Sequence, residues 1–60
     1  MDLTGHSFRT AIFKSVVGNI EVENEVCKDG TIRTSLWVVF PDGFSDEIAT
    51  VQEGLDKLEL

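Results

Sequence analysis

The sequence predicts an α+β fold, a three-stranded antiparallel β-meander with one C-terminal α-helix packed on one face. Two patterns support this prediction. Apolar side chains recur at every second residue through the middle of the chain and at every third or fourth residue near its end. We expect strands near residues 7–17, 20–27 and 31–40 and a helix near residues 45–58. These elements would form one domain over residues 1–60, with residues 1–5 disordered.

The central hairpin has a pairing that follows from the side chains themselves. Alternation from Ile20 to Val26 leads into Lys28-Asp29-Gly30, and the same period of two returns from Thr31 to Phe40. A two-residue loop would place glutamates among the apolar side chains, whereas a three-residue loop with Gly30 in the αL conformation keeps both faces uniform. The three-residue loop pairs Val26 with Ile32, Asn24 with Thr34, Val22 with Leu36 and Ile20 with Val38 on one face, and Glu25 with Arg33, Glu23 with Ser35 and Glu21 with Trp37 on the other.

The first strand is predicted from the β-prone run Phe8 to Val17, which contains no proline. Gly18-Asn19 is a turn signal, and we expect a two-residue loop there. That loop would place Val17 opposite Ile20, Ser15 opposite Val22, Phe13 opposite Asn24 and Lys14 opposite Glu23. Lys14 would then neutralise part of the acidic face. Apolar side chains occur on both faces of this strand, so its register is less firmly determined than that of the central hairpin.

The C-terminal segment is predicted to be helical after a turn at Pro41-Asp42-Gly43, because proline cannot donate to a sheet. Ser45 is the expected N-cap, and Phe44 is expected to pack against Ala49. Asp46 and Glu47 would lie near the positive end of the helix dipole. The apolar stripe that would cover the sheet consists of Ile48, Val51, Leu55 and Leu58. A glycine inside the stripe, Gly54, should cost about 1 kcal/mol relative to alanine.

The second sheet face is predicted to be a protein contact site. A chain of 60 residues with one cysteine has a small core and no internal disulfide, which favours self-association as a homodimer. Aromatic residues rimmed by charge are typical of contact surfaces. Alternatively, Trp37 and Phe8 pack on each other without binding anything. The candidate contact residues are Phe8, Ile12, Val16, Trp37 and Val39.

The charge distribution disfavours direct binding to nucleic acid or to anionic membranes. Eleven acidic and five basic residues give a net charge of −6, and residues 41–60 hold six of the acids and one base. An alternative function is nucleic-acid mimicry, in which this acidic surface is presented to a DNA-binding or DNA-processing protein. Acids on a helix also serve simply as a solvated face. The acidic surface consists of Asp42, Asp46, Glu47, Glu53, Asp56 and Glu59.

No spacing of residues indicates catalysis, a cofactor or a metal ion. His6 and Cys27 are the single histidine and cysteine, and a lone pair of this kind is a poor metal set. The five glycines never cluster into a phosphate-binding loop. We expect a cytoplasmic protein, because no leader pattern is visible and one cysteine suits a reducing compartment. The sequence therefore predicts a small acidic, non-catalytic interaction module, such as a bacterial or phage accessory or inhibitory factor.

Overall fold

The computed structural model describes residues 5–60, which form an antiparallel sheet of four strands in the order β1-β2-β3-β4, followed by a short helix. The α+β class and the C-terminal helix are confirmed, whereas the expected count of three strands is wrong. The predicted disorder of residues 1–5 lies outside the described residues except at Gly5, whose amide donates to the Val26 carbonyl at 2.8 Å. The elements are β1 (Ser7–Ser15), β2 (Gly18–Val26), β3 (Ile32–Val39), β4 (Ser45–Ile48) and α1 (Val51–Lys57).

The pairing of β2 with β3 is as predicted at every position. Val26 lies opposite Ile32, and the register continues without a shift to Ile20 opposite Val38. Gly30 has a φ of +87°, as the three-residue loop requires. The Asp29 carboxylate accepts hydrogen bonds from the amide of Thr31 at 3.0 Å and from its hydroxyl at 2.7 Å. These bonds favour the charged carboxylate and lower the pKa of Asp29.

The predicted register of β1 is wrong. The turn consists of Val16 and Val17, because Ser15 pairs with Gly18 and holds the turn through its hydroxyl, which donates to the Gly18 carbonyl at 2.7 Å. A bulge between Ala11 and Phe13 then shifts the pairing again. The pairs that replace the predicted ones are Phe13 with Ile20, Lys14 with Asn19, Thr10 with Val22, Phe8 with Asn24 and Arg9 with Glu23.

The expected helix over residues 45–58 is also wrong in its first part. After the turn at Pro41-Asp42-Gly43 the chain returns along β3 as the edge strand β4, so Ser45 is not an N-cap. Thr50 caps α1, because its hydroxyl accepts a hydrogen bond from the Glu53 amide at 3.1 Å. Glu53 in turn accepts from the amide of Ala49 at 2.9 Å. Phe44, expected to pack on Ala49, is 72% exposed.

The core lies at one end of the sheet, where α1 crosses it. Four hydrophobic side chains are buried among residues 5–60, and they are Ile20, Val38, Ile48 and Leu58. Gly54 is buried on α1, and a Cβ added there would lie 2.7 Å from Ile48 Cδ1 and 3.0 Å from Ile20 Cδ1. The glycine therefore allows the helix to lie close to the sheet. Val51, expected in the buried stripe, is 40% exposed.

Candidate interaction surfaces

The helix covers less of the sheet than the sequence suggested. Seven helical residues span about 10 Å, whereas a strand of nine residues spans about 30 Å. The side of the sheet that carries α1 is thus left open toward the β2-β3 loop, where Phe8 is 51% and Ile32 57% exposed. We name this open region the uncovered patch, and it consists of Phe8, Thr10, Val22, Asn24, Val26, Ile32 and Thr34.

The uncovered patch carries no Asp, Glu, Lys or Arg side chain. Because residues directly opposite each other share a face, the register places the charged residues of β1, β2 and β3 on the other side of the sheet. His6 precedes β1 at the border of the patch, and its carbonyl accepts a hydrogen bond from the Val26 amide at 3.0 Å. Thr34 donates from its hydroxyl to Asn24 Oδ1 at 2.8 Å across the strands. The patch is therefore an uncharged surface of four apolar side chains, with the Asn24–Thr34 pair near its middle and Thr10 as a further polar side chain.

The opposite side of the sheet, which we name the Trp37 face, is organised around a stacked arginine. The guanidinium carbon of Arg9 lies 4.5 Å from the centre of the Trp37 ring. Arg9 also forms ion pairs with Glu21 at 3.9 Å and with Glu23 at 3.7 Å. The indole Nε1 of Trp37 donates to Glu23 Oε1 at 3.1 Å and to Ser35 Oγ at 3.0 Å. Trp37 thus has both its ring and its polar atom engaged within the chain.

The structure does not bring the five predicted contact residues onto one face. Trp37 and Val39 lie on the Trp37 face, but Phe8 pairs with Asn24 and belongs to the uncovered patch. Ile12 lies at the bulge of β1, and Val16 is 94% exposed in the β1-β2 turn. The expectation that they share a surface is wrong because the loop and the bulge changed the register of β1. Their role in binding a protein stays a prediction.

The acids of the C-terminal third differ from those of the strands in their partners. None of the six predicted surface acids forms an ion pair within residues 5–60, whereas Glu25 pairs with Arg33 at 3.3 Å. Three of the six have local roles, since Asp42 accepts from the Phe44 amide at 2.9 Å, Glu53 accepts from Ala49, and Asp56 accepts from Gln52 at 3.0 Å. Asp46 and Glu47 are exposed on opposite faces of β4. The charges of Asp46 and Glu47 therefore lie on opposite sides of the edge strand and not on one surface.

Other kinds of site are sparse in the part of the chain that the structure describes. No pocket is found, and no group of three or more metal-binding side chains comes together over residues 5–60. Cys27 is half-buried beside the β2-β3 loop. The single described helix, α1, is too short and too polar to cross a membrane.

Comparison of the chain with protein-family models, with curated proteins and with solved structures found no match. The functional proposal therefore rests on the surfaces of the molecule. The sequence carries part of the signal for the uncovered patch, because its predicted register places five patch residues on one uncharged face: Val22, Asn24, Val26, Ile32 and Thr34. The sequence does not predict that this face is open, because the expected helix over residues 45–58 would span about 21 Å and cover it.

Proposed function

We propose that the protein is a small non-catalytic interaction module that acts as an accessory or inhibitory factor and self-associates. The observation that carries this proposal is the uncovered patch. Sheets of soluble domains are normally covered on their apolar face by a second layer. Here α1 supplies that layer at one end, and the described residues supply none at the other.

The edges of the sheet at the same end also support an interaction role. The strand β4 pairs with β3 from Leu36 to Val39, so β3 is an edge strand from Ile32 to Ser35 within the described residues. The other edge is β1, which is mostly exposed. Edges with free backbone groups are sites where a further strand is added. The end near the β2-β3 loop thus combines an apolar patch with two accessible edges.

Self-association is tested with the unaltered chain over a dilution series. Sedimentation velocity should show a sedimentation coefficient that rises with concentration, and the unfolding temperature should rise with it, because association stabilises the folded state by mass action. The series should extend to on the order of 1 mM, since a contact of this size is expected to be weak. A monomer with a constant unfolding temperature throughout the series would contradict the proposal.

The Trp37 face is the second candidate surface for the same function. Trp37 and Val39 are half-buried there, and an aromatic residue beside charged groups is a common composition of contact sites. Arg9 already stacks on the indole, so a partner would have to pack on the arginine or displace it. The uncovered patch has no such internal cover, and we therefore favour it over the Trp37 face.

A second function, nucleic-acid mimicry, is favoured by the unpaired acids of the C-terminal third. Acids without basic neighbours keep their full charge available to a basic DNA-binding protein. The variant Asp46→Asn/Glu47→Gln removes two of them from the edge strand. Mimicry predicts that this variant loses binding to an immobilised basic DNA-binding protein, that salt elutes the native chain, and that the control Glu25→Gln binds normally. Equal retention of both variants would contradict mimicry.

A further inference from the structure

We infer that the occupant of the uncovered patch is a second copy of the same patch, with the two sheets packed face to face about a twofold axis. This inference rests on the proposed self-association and specifies its surface and its partner. A twofold contact uses the same residues from both copies, so the surface must be compatible with itself. Charge, hydrogen bonding and size of the patch each bear on that requirement.

The first argument is charge. Each copy carries a net charge of −6, so two copies repel each other, and a contact surface without charged side chains adds nothing to that repulsion. The Trp37 face carries the charged residues of β1, β2 and β3, so apposing two copies of that face would desolvate charged side chains; they are Arg9, Lys14, Glu21, Glu23, Glu25 and Arg33. The uncovered patch contributes no Asp, Glu, Lys or Arg. Apposing two patches therefore desolvates apolar groups without burying carboxylates.

The second argument is the polar pair within the patch. Thr34 donates to Asn24 Oδ1, and the amide nitrogen of Asn24 has no protein acceptor among the described residues. An apolar partner would leave this nitrogen buried without a hydrogen bond, which is costly. A second copy brings its own Asn24 and Thr34 oxygens to the middle of the interface. The two amide groups can then donate to the opposite copy, so the patch is chemically matched to itself.

The third argument is size, and it sets the strength of the contact. The patch spans three residues of β1, five of β2 and three of β3. With strands about 4.8 Å apart and about 3.4 Å per residue, its flat area is roughly 180 Å² per copy. Stable complexes bury about 800 Å² per partner. The dimer is accordingly a weak and reversible one.

The deciding experiment compares charged substitutions inside and outside the patch by sedimentation equilibrium. Phe8→Glu should raise the dissociation constant about tenfold or more, because a carboxylate would be desolvated in the contact. The matched control is Phe44→Glu, which makes the same change at an exposed phenylalanine beside the β3-β4 turn, at the other end of the sheet, and should leave the constant within about twofold. Equal weakening by both variants would overturn the inference, because it would indicate general repulsion.

A second variant separates local contact from overall charge and guards against misfolding of Phe8→Glu. Thr34→Lys makes the net charge less negative, so general repulsion would decrease and association would strengthen. The inference predicts the opposite sign, because a lysine in the contact must be desolvated. Circular dichroism of each variant verifies the fold. Stronger association of folded Thr34→Lys would overturn the inference.

The native chain offers two further readouts. Trp37 is the single tryptophan and lies on the opposite face, so its emission should stay constant while the dimer dissociates on dilution. Raising the salt concentration from about 0.05 to about 0.5 M should strengthen the dimer by screening like charges. A dimer whose dissociation shifts Trp37 emission and which resists Phe8→Glu would overturn the inference while leaving self-association intact. A monomer at every concentration would overturn both.

Discussion

The two ends of the sheet share β1, β2 and β3 but differ in how deeply their apolar side chains are buried. At the end covered by α1, Ile20, Val38 and Ile48 are buried against one another and against Leu58. At the end near the β2-β3 loop, Ile32 and its neighbours are exposed on the same face. Burial of apolar area is the main favourable term in folding, so stability is concentrated at the covered end. The open end contributes less to stability and is available for binding.

The largest expected effect comes from truncating the same residue type at the two ends. Ile20→Ala should destabilise the fold by about 3 kcal/mol, because it leaves a cavity in the core. A chain of this length has roughly 3 to 9 kcal/mol of total stability, so this variant should lose a third or more of it. Urea unfolding followed by circular dichroism measures the difference.

The matched control for the core truncation is Ile32→Ala on the same face. Ile32 is 57% exposed, so its loss should cost less than about 1 kcal/mol in a dilute monomeric sample. Equal destabilisation by the two variants would show that the ends are equally cohesive. That outcome would contradict the division of the molecule into a stabilising and an available end.

Gly18 and Gly30 extend the comparison of the two ends of the sheet, because both have a positive φ and they lie at opposite ends. At Gly18 a Cβ would lie 2.5 Å from Leu58 Cδ2 and 2.6 Å from the Val39 carbonyl oxygen, with φ at +144°. Gly18→Ala should therefore cost about 2 to 3 kcal/mol through overlap and backbone strain. At Gly30 the φ is +87° and a Cβ would meet nothing within 4 Å, so Gly30→Ala should cost about 1 kcal/mol. Thermal unfolding of both variants checks the ranking.

The central hairpin was predictable because two independent signals agree there. The alternation from Ile20 to Val26 sets the faces, and Gly30 sets the loop length, so one register satisfies both. β1 offered no such agreement. Its apolar residues lie on both faces, and Gly18 resembles a turn residue, whereas in the fold it is buried beneath Leu58. Gly18 thus packs close to Leu58 near the C-terminus, and local turn patterns do not encode such a long-range contact.

The C-terminal segment contains two signals for the start of a helix, and the helix begins at the stronger of the two. Ser45 has Ile48 three residues later, whereas Thr50 has Glu53, which is the pattern of a capping box. That pattern indicates a helix beginning after Thr50 and leaves residues 45–48 free to pair with β3. The candidate site followed from this difference, because the shorter helix exposes the patch that the longer one would have covered.

A smaller effect is expected from the Trp37 face, where two arginines can be compared. Arg9 stacks on Trp37 and pairs with two glutamates, and its side chain is 33% exposed. Arg9→Gln should cost about 1 kcal/mol and alter Trp37 fluorescence. Arg33 pairs with Glu25 alone and its side chain is 79% exposed, so Arg33→Gln should cost about 0.3 kcal/mol at most. Equal costs would indicate that the stack on Trp37 adds no stability.

The smallest effect concerns the β2-β3 loop at the open end and depends on pH. The hydrogen bonds from Thr31 lower the pKa of Asp29 below its ordinary value of 3.8. The folded state therefore holds the proton less tightly than the unfolded state, so these bonds add stability above the unfolded pKa and lose it as the pH falls through the folded pKa. Asp29→Ala should be less stable than the native chain at neutral pH, and the difference should shrink in acid. Unfolding curves at pH 7 and at about pH 2 measure it, and a difference that stays constant would show that the charge of Asp29 has no part in holding the loop.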